Sequence, residues 1–137
     1  MSSKSAGYCC AYNSDGHALL LLCEAELGKP MQTLTGASYN AAETAKEMGA
    51  LSTWGQGRMA PKAWKDAGCI HPSLTGTTMV CFHIVTFGQH KNSNLTQPDT
   101  TEDPGDTNVA GASLYYNEYI CYDVAQIRLR YLLRVKM

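Results

Sequence analysis

The chain has 137 residues, 45% hydrophobic and 17% charged, which is enough apolar material for one ordinary domain rather than two. A formal net charge of -1 sets up no overall field for non-specific attraction to nucleic acid or to an acidic membrane. No basic stretch leads into an apolar core at the start, and the longest apolar run, Ala18–Cys23, is too short to cross a bilayer. The composition therefore predicts one compact intracellular unit with no membrane role.

In chain order, Ser5, Tyr8, Cys9 and Tyr12 fall at the spacing of one helical face, so a short helix is expected over Ser3–Tyr12, closed by the turn cluster Asn13-Ser14-Asp15-Gly16. His17–Leu27 is almost continuously apolar before Glu24, which predicts a strand buried on both faces. From Met31 to Asp106 the pattern weakens to loop with one helix over Asn40–Met48, ending at Gly49. Asn117–Tyr122 is rich in aromatic and β-branched residues and reads as a strand, and Asp123–Gln126 as a turn. Ile127, Leu129, Tyr131, Leu133 and Val135 then alternate with Arg128, Arg130, Leu132, Arg134 and Lys136, the period of a half-buried strand. The short connection predicts that this last strand runs antiparallel to its predecessor.

The six cysteines include no C-x-x-C pair, so neither a disulfide frame nor a zinc knuckle is indicated. His17 and His71 have no partner at ligand spacing and read as ordinary polar residues, so no metal is expected. The basic residues Arg128, Arg130, Arg134 and Lys136 read as a wet sheet face or a set of charge pairs, because no aromatics interleave with them on that face.

Three stretches, in order, carry a resemblance: Met1-Ser2-Ser3-Lys4-Ser5-Ala6-Gly7-Tyr8-Cys9; Leu19–Gly28, LLLLCEAELG; and Tyr116-Asn117-Glu118-Tyr119-Ile120 running on to Ala125–Leu133. Together they resemble the DNA-repair type of poly(ADP-ribose) polymerase, in its C-terminal catalytic part. The resemblance implies an α+β fold, ADP-ribosyltransferase-like, with a mainly antiparallel sheet and short helices. It implies transfer of ADP-ribose from NAD⁺ to acceptor proteins in the nucleus, with DNA contacted only through domains outside this chain, no membrane and no metal. A fungal source is also expected.

That chemistry breaks the bond between nicotinamide and the ribose anomeric carbon through a transition state of oxocarbenium character, so a flat heterocycle must be held and a developing positive charge steadied. The resemblance assigns Ser5 to the nicotinamide carboxamide, Tyr8 to stacking on the pyridinium, and Glu118 to the ribose hydroxyl and the incoming acceptor. Lys4 is expected near the same NAD⁺ site, and Tyr116 and Asn117 on the acceptor side. Taken alone, a Ser and a Tyr on one helical face are ordinary packing, and a Glu that opens a strand is ordinarily solvated; the family pattern is what raises them above that.

Two departures accompany the likeness. Relatives place a His-Gly strand, a loop over NAD⁺ and a glycine-rich segment with another Tyr before the helix, so the N-terminal half of the domain is expected to be missing and the chain to be inactive alone. Residues 1–137 then form one partial catalytic domain interrupted by a non-family insert, Val80–Gln97. Val starts with GT, and Leu-Thr and Gln can encode a branch signal and CAG, which marks the insert as a translated short intron; Cys81, His83 and His90 within it are accordingly not read as a metal site. A non-catalytic remnant or regulatory fragment is the alternative, and an interaction module that uses the apolar strand and basic face is another. Sequencing of the transcript is expected to find spliced messages that lack the Val80–Gln97 codons; messages that retain them throughout defeat the intron reading and leave a surface loop.

Overall fold

The structure, a computed structural model, describes residues 2–69, 71–80 and 104–137. Apart from Val80, the expected insert, with Cys81, His83 and His90, lies outside the described residues. Where the composition predicts one compact unit, the chain divides into two, Met1–Gly57 with Val109–Met137 and Arg58–Asn108.

In the first unit, helix α1 (Ser2–Ala6) is shorter than the expected Ser3–Tyr12. Three successive bonds close over three residues, Gly7 N–H to Lys4 O, Tyr8 N–H to Ser5 O and Cys9 N–H to Ala6 O, at 3.1, 3.2 and 3.0 Å. The end of the helix is thus tightened into the 3₁₀ pattern, in which residues three apart eclipse one another. Tyr8 lies just past the helix and still follows Ser5 by one tight turn. Asp15 and Gly16 take positive φ in the expected reversal that feeds strand β1 (His17–Ala25).

Strand β1 forms where predicted, but it is not buried on both faces. Among the described residues it belongs to a two-stranded sheet whose other member is β10 (Ile127–Lys136). Residues opposite one another in an antiparallel pair share a face. His17, Leu19 and Leu21 face Lys136, Arg134 and Leu132, while Ala18, Leu20 and Leu22 face Val135, Leu133 and Tyr131. Only the second set approaches burial, with Ala18 and Val135 buried; Leu19 and Leu21 are 61% and 63% exposed. A fully buried leucine contributes about 1.5–3 kcal/mol over an exposed one, so this face withholds much of its stabilisation.

The register also corrects the regular alternation read into the last strand. Leu22 pairs with Tyr131 and Cys23 with Leu129, which makes Arg130 the extra residue of a bulge. Beyond it, Ile127 and Leu129 change to the face of Leu132 and Arg134, and Arg128 takes the other. The four basic residues therefore do not form one face. Arg130 Nε instead donates to Glu24 Oε2 at 2.8 Å, as the charge-pair reading of these residues expects.

The expected pairing of the last two strands does not form. Strand β9 (Glu118–Cys121) pairs antiparallel with β3 (Ser52–Gly55), which pairs parallel with β2 (Gln32–Leu34), while β10 leaves for β1. The reason lies in the connection, which is a capped 3₁₀ turn rather than a hairpin: Asp123 Oδ1 accepts from Ala125 N–H, and Gln126 Oε1 accepts from Asp123 N–H at 2.9 Å. Gln126 Nε2 then donates to Glu26 O at 2.9 Å, tying the turn to the end of β1.

Helix α2 (Ala41–Glu47) matches the expected helix. Gly49 at φ +68° ends it, with Gly49 N–H bonded to Lys46 O and Ala50 N–H to Ala45 O, the closure that a left-handed residue permits. The rest of the supposed loop contains several short strands. In the second unit, Met59 and Ala60 of β4 (Gly57–Ala60) pair with β7 (Gly105–Asp106), and β5 (Trp64–Asp66) pairs with β6 (Thr78–Val80), both antiparallel. Asp66 accepts from Gly68 N–H and Gly76 N–H, each at 2.7 Å, and His71 caps a 3₁₀ turn at Ser73 N–H.

Beneath β3, Thr53 Oγ1, 1% exposed, donates to Gln32 Oε1 at 2.6 Å and lies 2.6 Å from the Tyr122 hydroxyl. A buried acceptor stripped of its donor costs about 1–3 kcal/mol. Thr53→Val is expected to lower unfolding free energy by that amount in urea, whereas Ser38→Ala, at an exposed hydroxyl, changes it by less than about 0.5 kcal/mol. Equal midpoints for the two variants would show the buried chain of hydroxyls to be idle.

Candidate functional site

The site is built where the opening helix meets the start of β9. Lys4, in the last turn of α1, donates from Nζ to Glu118 Oε1, and both side chains are a little over one third exposed. Residues far apart in sequence are thereby joined. Glu118 is the first residue of β9 and stands opposite Gly55 in β3. A Cβ at Gly55 would come within 2.7 Å of Leu114 Cδ1 in β8 (Leu114–Tyr116), so the leucine side chain packs over the glycine across from the carboxylate.

The hydrogen bond that Lys4 donates to Glu118 holds its ammonium above the ordinary lysine range; desolvation opposes this, and the charges of Glu118 and of Tyr8 add to it. Tyr8 is therefore within electrostatic reach of the pair. Tyr8 as a whole is 81% exposed. Ser5 is exposed too, its carbonyl accepting from Tyr8 N–H. Among the described residues, Glu118 Oε2 has no hydrogen-bond partner, which leaves one carboxylate oxygen open.

The two residues expected on the acceptor side have local partners. The Tyr116 ring meets that of Tyr115 edge-on, with centroids 4.5 Å apart. Asn117 is half-buried and its Oδ1 accepts from Gly57 N–H at 2.8 Å. Tyr119 stacks on Trp54 at 6.2 Å; burial pushes its phenol up, and a hydrogen bond with Asn117 partly offsets this. Burial likewise raises the Cys121 thiol.

Sequence reasoning missed Gly55 and Gly57. The signal was present as Gly55-Gln56-Gly57, read only as loop punctuation. A Cβ on Gly57 would lie 2.2 Å from the carbonyl carbon of Tyr116, so the two backbones touch directly. Among the described residues, no group of three or more His, Cys, Asp or Glu side chains is placed to hold a metal ion. No described helix is long and apolar enough to cross a membrane.

The family profile described as "Poly(ADP-ribose) polymerase catalytic domain" matches residues 1–81 and 82–137. The chain belongs to the poly(ADP-ribose) polymerase catalytic-domain family. It is 35% identical over 136 residues to poly [ADP-ribose] polymerase 2 of Homo sapiens, covering 99% of this chain and 19% of that protein. It is likewise 35% identical over 136 residues to poly [ADP-ribose] polymerase 2 of Arabidopsis thaliana and to poly [ADP-ribose] polymerase 1 of Danio rerio, covering 99% of this chain and 17% and 11% of those proteins. The chain thus spans less than a fifth of these relatives. Its mixed architecture of short helices and mostly antiparallel strands fits part of a catalytic domain of this family.

A lysine whose titration is raised in the folded chain contributes stability that is complete below its unfolded pKa and is lost as pH rises through the folded one. On the alkaline side, the Lys4–Glu118 contact is therefore expected to be lost as pH rises through the raised Lys4 titration, above the ordinary lysine range. Glu118→Gln should return the Lys4 ammonium to that range in a side-chain NMR titration; an unchanged Lys4 would mean that the two residues do not pair.

Proposed function

We propose that α1 and the start of β9 form part of the nicotinamide end of an NAD⁺ site, serving ADP-ribosyl transfer to protein acceptors in the nucleus. Membership of the family supports the reaction class, and the Lys4–Glu118 pair is the observation that carries the site, because it draws the helix with Ser5 and Tyr8 to the one acidic residue of the YNEY segment. NAD⁺ is the substrate, and no metal is assigned a part.

In this reading the Tyr8 ring stacks on nicotinamide, worth about 0.5–1.5 kcal/mol for an aromatic pair, and the Ser5 hydroxyl bonds the carboxamide. Glu118 Oε2, open while Lys4 holds Oε1, accepts from a ribose hydroxyl. The bond between the anomeric carbon and the pyridine nitrogen breaks with its electron pair leaving on nicotinamide. The ribose becomes oxocarbenium-like and the carboxylate stabilises it. An acceptor oxygen then bonds that carbon and releases its proton, with Glu118 polarising the attacking group. Tyr116 and Asn117 shape the acceptor side through the course of the strand they precede.

A second reading, a non-catalytic remnant, is favoured by the exposure of Ser5 and Tyr8 among the described residues. An interaction module using a basic strand face is weakened by the bulge that parts Arg128 from Arg134.

Nicotinamide titrated into the chain is expected to shift the amide resonances of Ser5, Tyr8 and Tyr119 with weak affinity, near the millimolar level that corresponds to about 4 kcal/mol. Shifts elsewhere only would sink the site. NAD⁺ itself should bind more weakly than micromolar by calorimetry, and wherever nicotinamide release is measurable Glu118→Gln should lower kcat by about a hundredfold or more with little change in KM, as for loss of one transition-state contact.

A further inference from the structure

We propose that Asn117 and Gly57 form a backbone clamp that positions Glu118, so that Asn117 acts on the reaction through the placing of the carboxylate. The inference rests on the site reading above, in which Glu118 is the catalytic acid group.

Glu118 opens β9, and among the described residues the strand ladder holds it from one side, through Gly55. The preceding residue is held by a side chain. Asn117 Oδ1 accepts from Gly57 N–H at 2.8 Å, two residues beyond the Gly55 that faces Glu118. An amide oxygen thus ties the chain next to the last pair of the β3–β9 ladder. Gly57 makes this possible by having no side chain: a Cβ there would fall 2.2 Å from Tyr116 C and 2.6 Å from Asn117 N. The Tyr116–Asn117 peptide, one residue before Glu118, consequently packs directly against the Gly57 backbone. Tyr119, on the other side of Glu118, stacks on Trp54. Residues on both sides of Glu118 are thereby anchored to the segment Trp54–Gly57, while the Glu118 side chain remains free to meet Lys4. Misplacing a reacting group by about 1 Å can cost about a hundredfold in rate, so a clamp of this kind matters even where it touches no substrate.

The test reads the Glu118 carboxylate through Lys4, by NMR titration of the Lys4 side chain in the full chain. Amide protection along β1 and β10 monitors the fold. Asn117→Ala and Gly57→Ala damage the clamp from opposite sides, and each should abolish the upward displacement of Lys4, as Glu118→Gln does, with β1 and β10 still protected. Tyr119→Phe, which spares the Asn117–Gly57 bond, should preserve it. If Lys4 responds to Glu118→Gln but keeps its displacement in Asn117→Ala, the clamp is refuted and the site reading stands. If Lys4 ignores Glu118→Gln, the site reading itself fails. Should both clamp variants unfold, hydrogen exchange at Gly57 N–H in the unaltered chain decides: protection matching that of the β3 amides supports the clamp, and exchange at the rate of exposed loops overturns it.

Discussion

The candidate site depends on a single long-range ion pair, between the helix that opens the chain and the strand that begins at Glu118. Its energy is modest, because pairs that remain one third exposed are screened and lose side-chain entropy on forming. Its importance is geometric. Helix α1 has five residues, too few to persist on hydrogen bonding alone, so tertiary contact must define where it lies. Lys4 supplies one such contact, and the Cys9 thiol, 3.7 Å from Leu19 O, supplies another at the far end of the turn. Between these two points stand Ser5 and Tyr8.

The strand that receives Lys4 is fixed more firmly than the helix that offers it. One side of β9 stacks Tyr119 on Trp54, and the other carries Tyr122 onto the buried hydroxyl of Thr53 and, through it, Gln32. Gly57, at the start of β4, lets its backbone close on that of Tyr116 and Asn117 without a side chain between them. In the proposed reading, a strand fixed on both faces and facing a lightly held helix with an exposed tyrosine preorganises the carboxylate while the aromatic side stays adaptable. Preorganised charge is the costlier element to assemble, since it must be in place before charge develops on the substrate.

Legibility followed the range of the interactions concerned. Helix α2 was readable because its periodicity and its terminating Gly49 are contained within a few residues. Strand β1 was readable as a strand from its apolar run, yet its burial was not, since burial belongs to whatever packs on it, and Leu19 and Leu21 are open. The short strands between Gln32 and Val80 escaped because two to four residues cannot display a period. The pairing of β10 with β9, inferred from a short connection, failed because the capped turn at Asp123–Gln126 redirects the chain toward β1. A bulge at Arg130 then undid the alternation on which the basic face rested, and no local pattern announces such an insertion.

What the residues alone determined was the family and the chemical vocabulary: a Lys-Ser pair with a Tyr one tight turn away, and a Glu ahead of an aromatic strand. Those are matters of side-chain type and close spacing, which a linear string records in full. Tertiary structure alone decided that Lys4 meets Glu118, that Asn117 turns onto the Gly57 backbone and that β10 seeks β1. Each of these joins segments separated by dozens of residues, and their closure is set by the packing of the whole unit, which no stretch of neighbouring residues encodes.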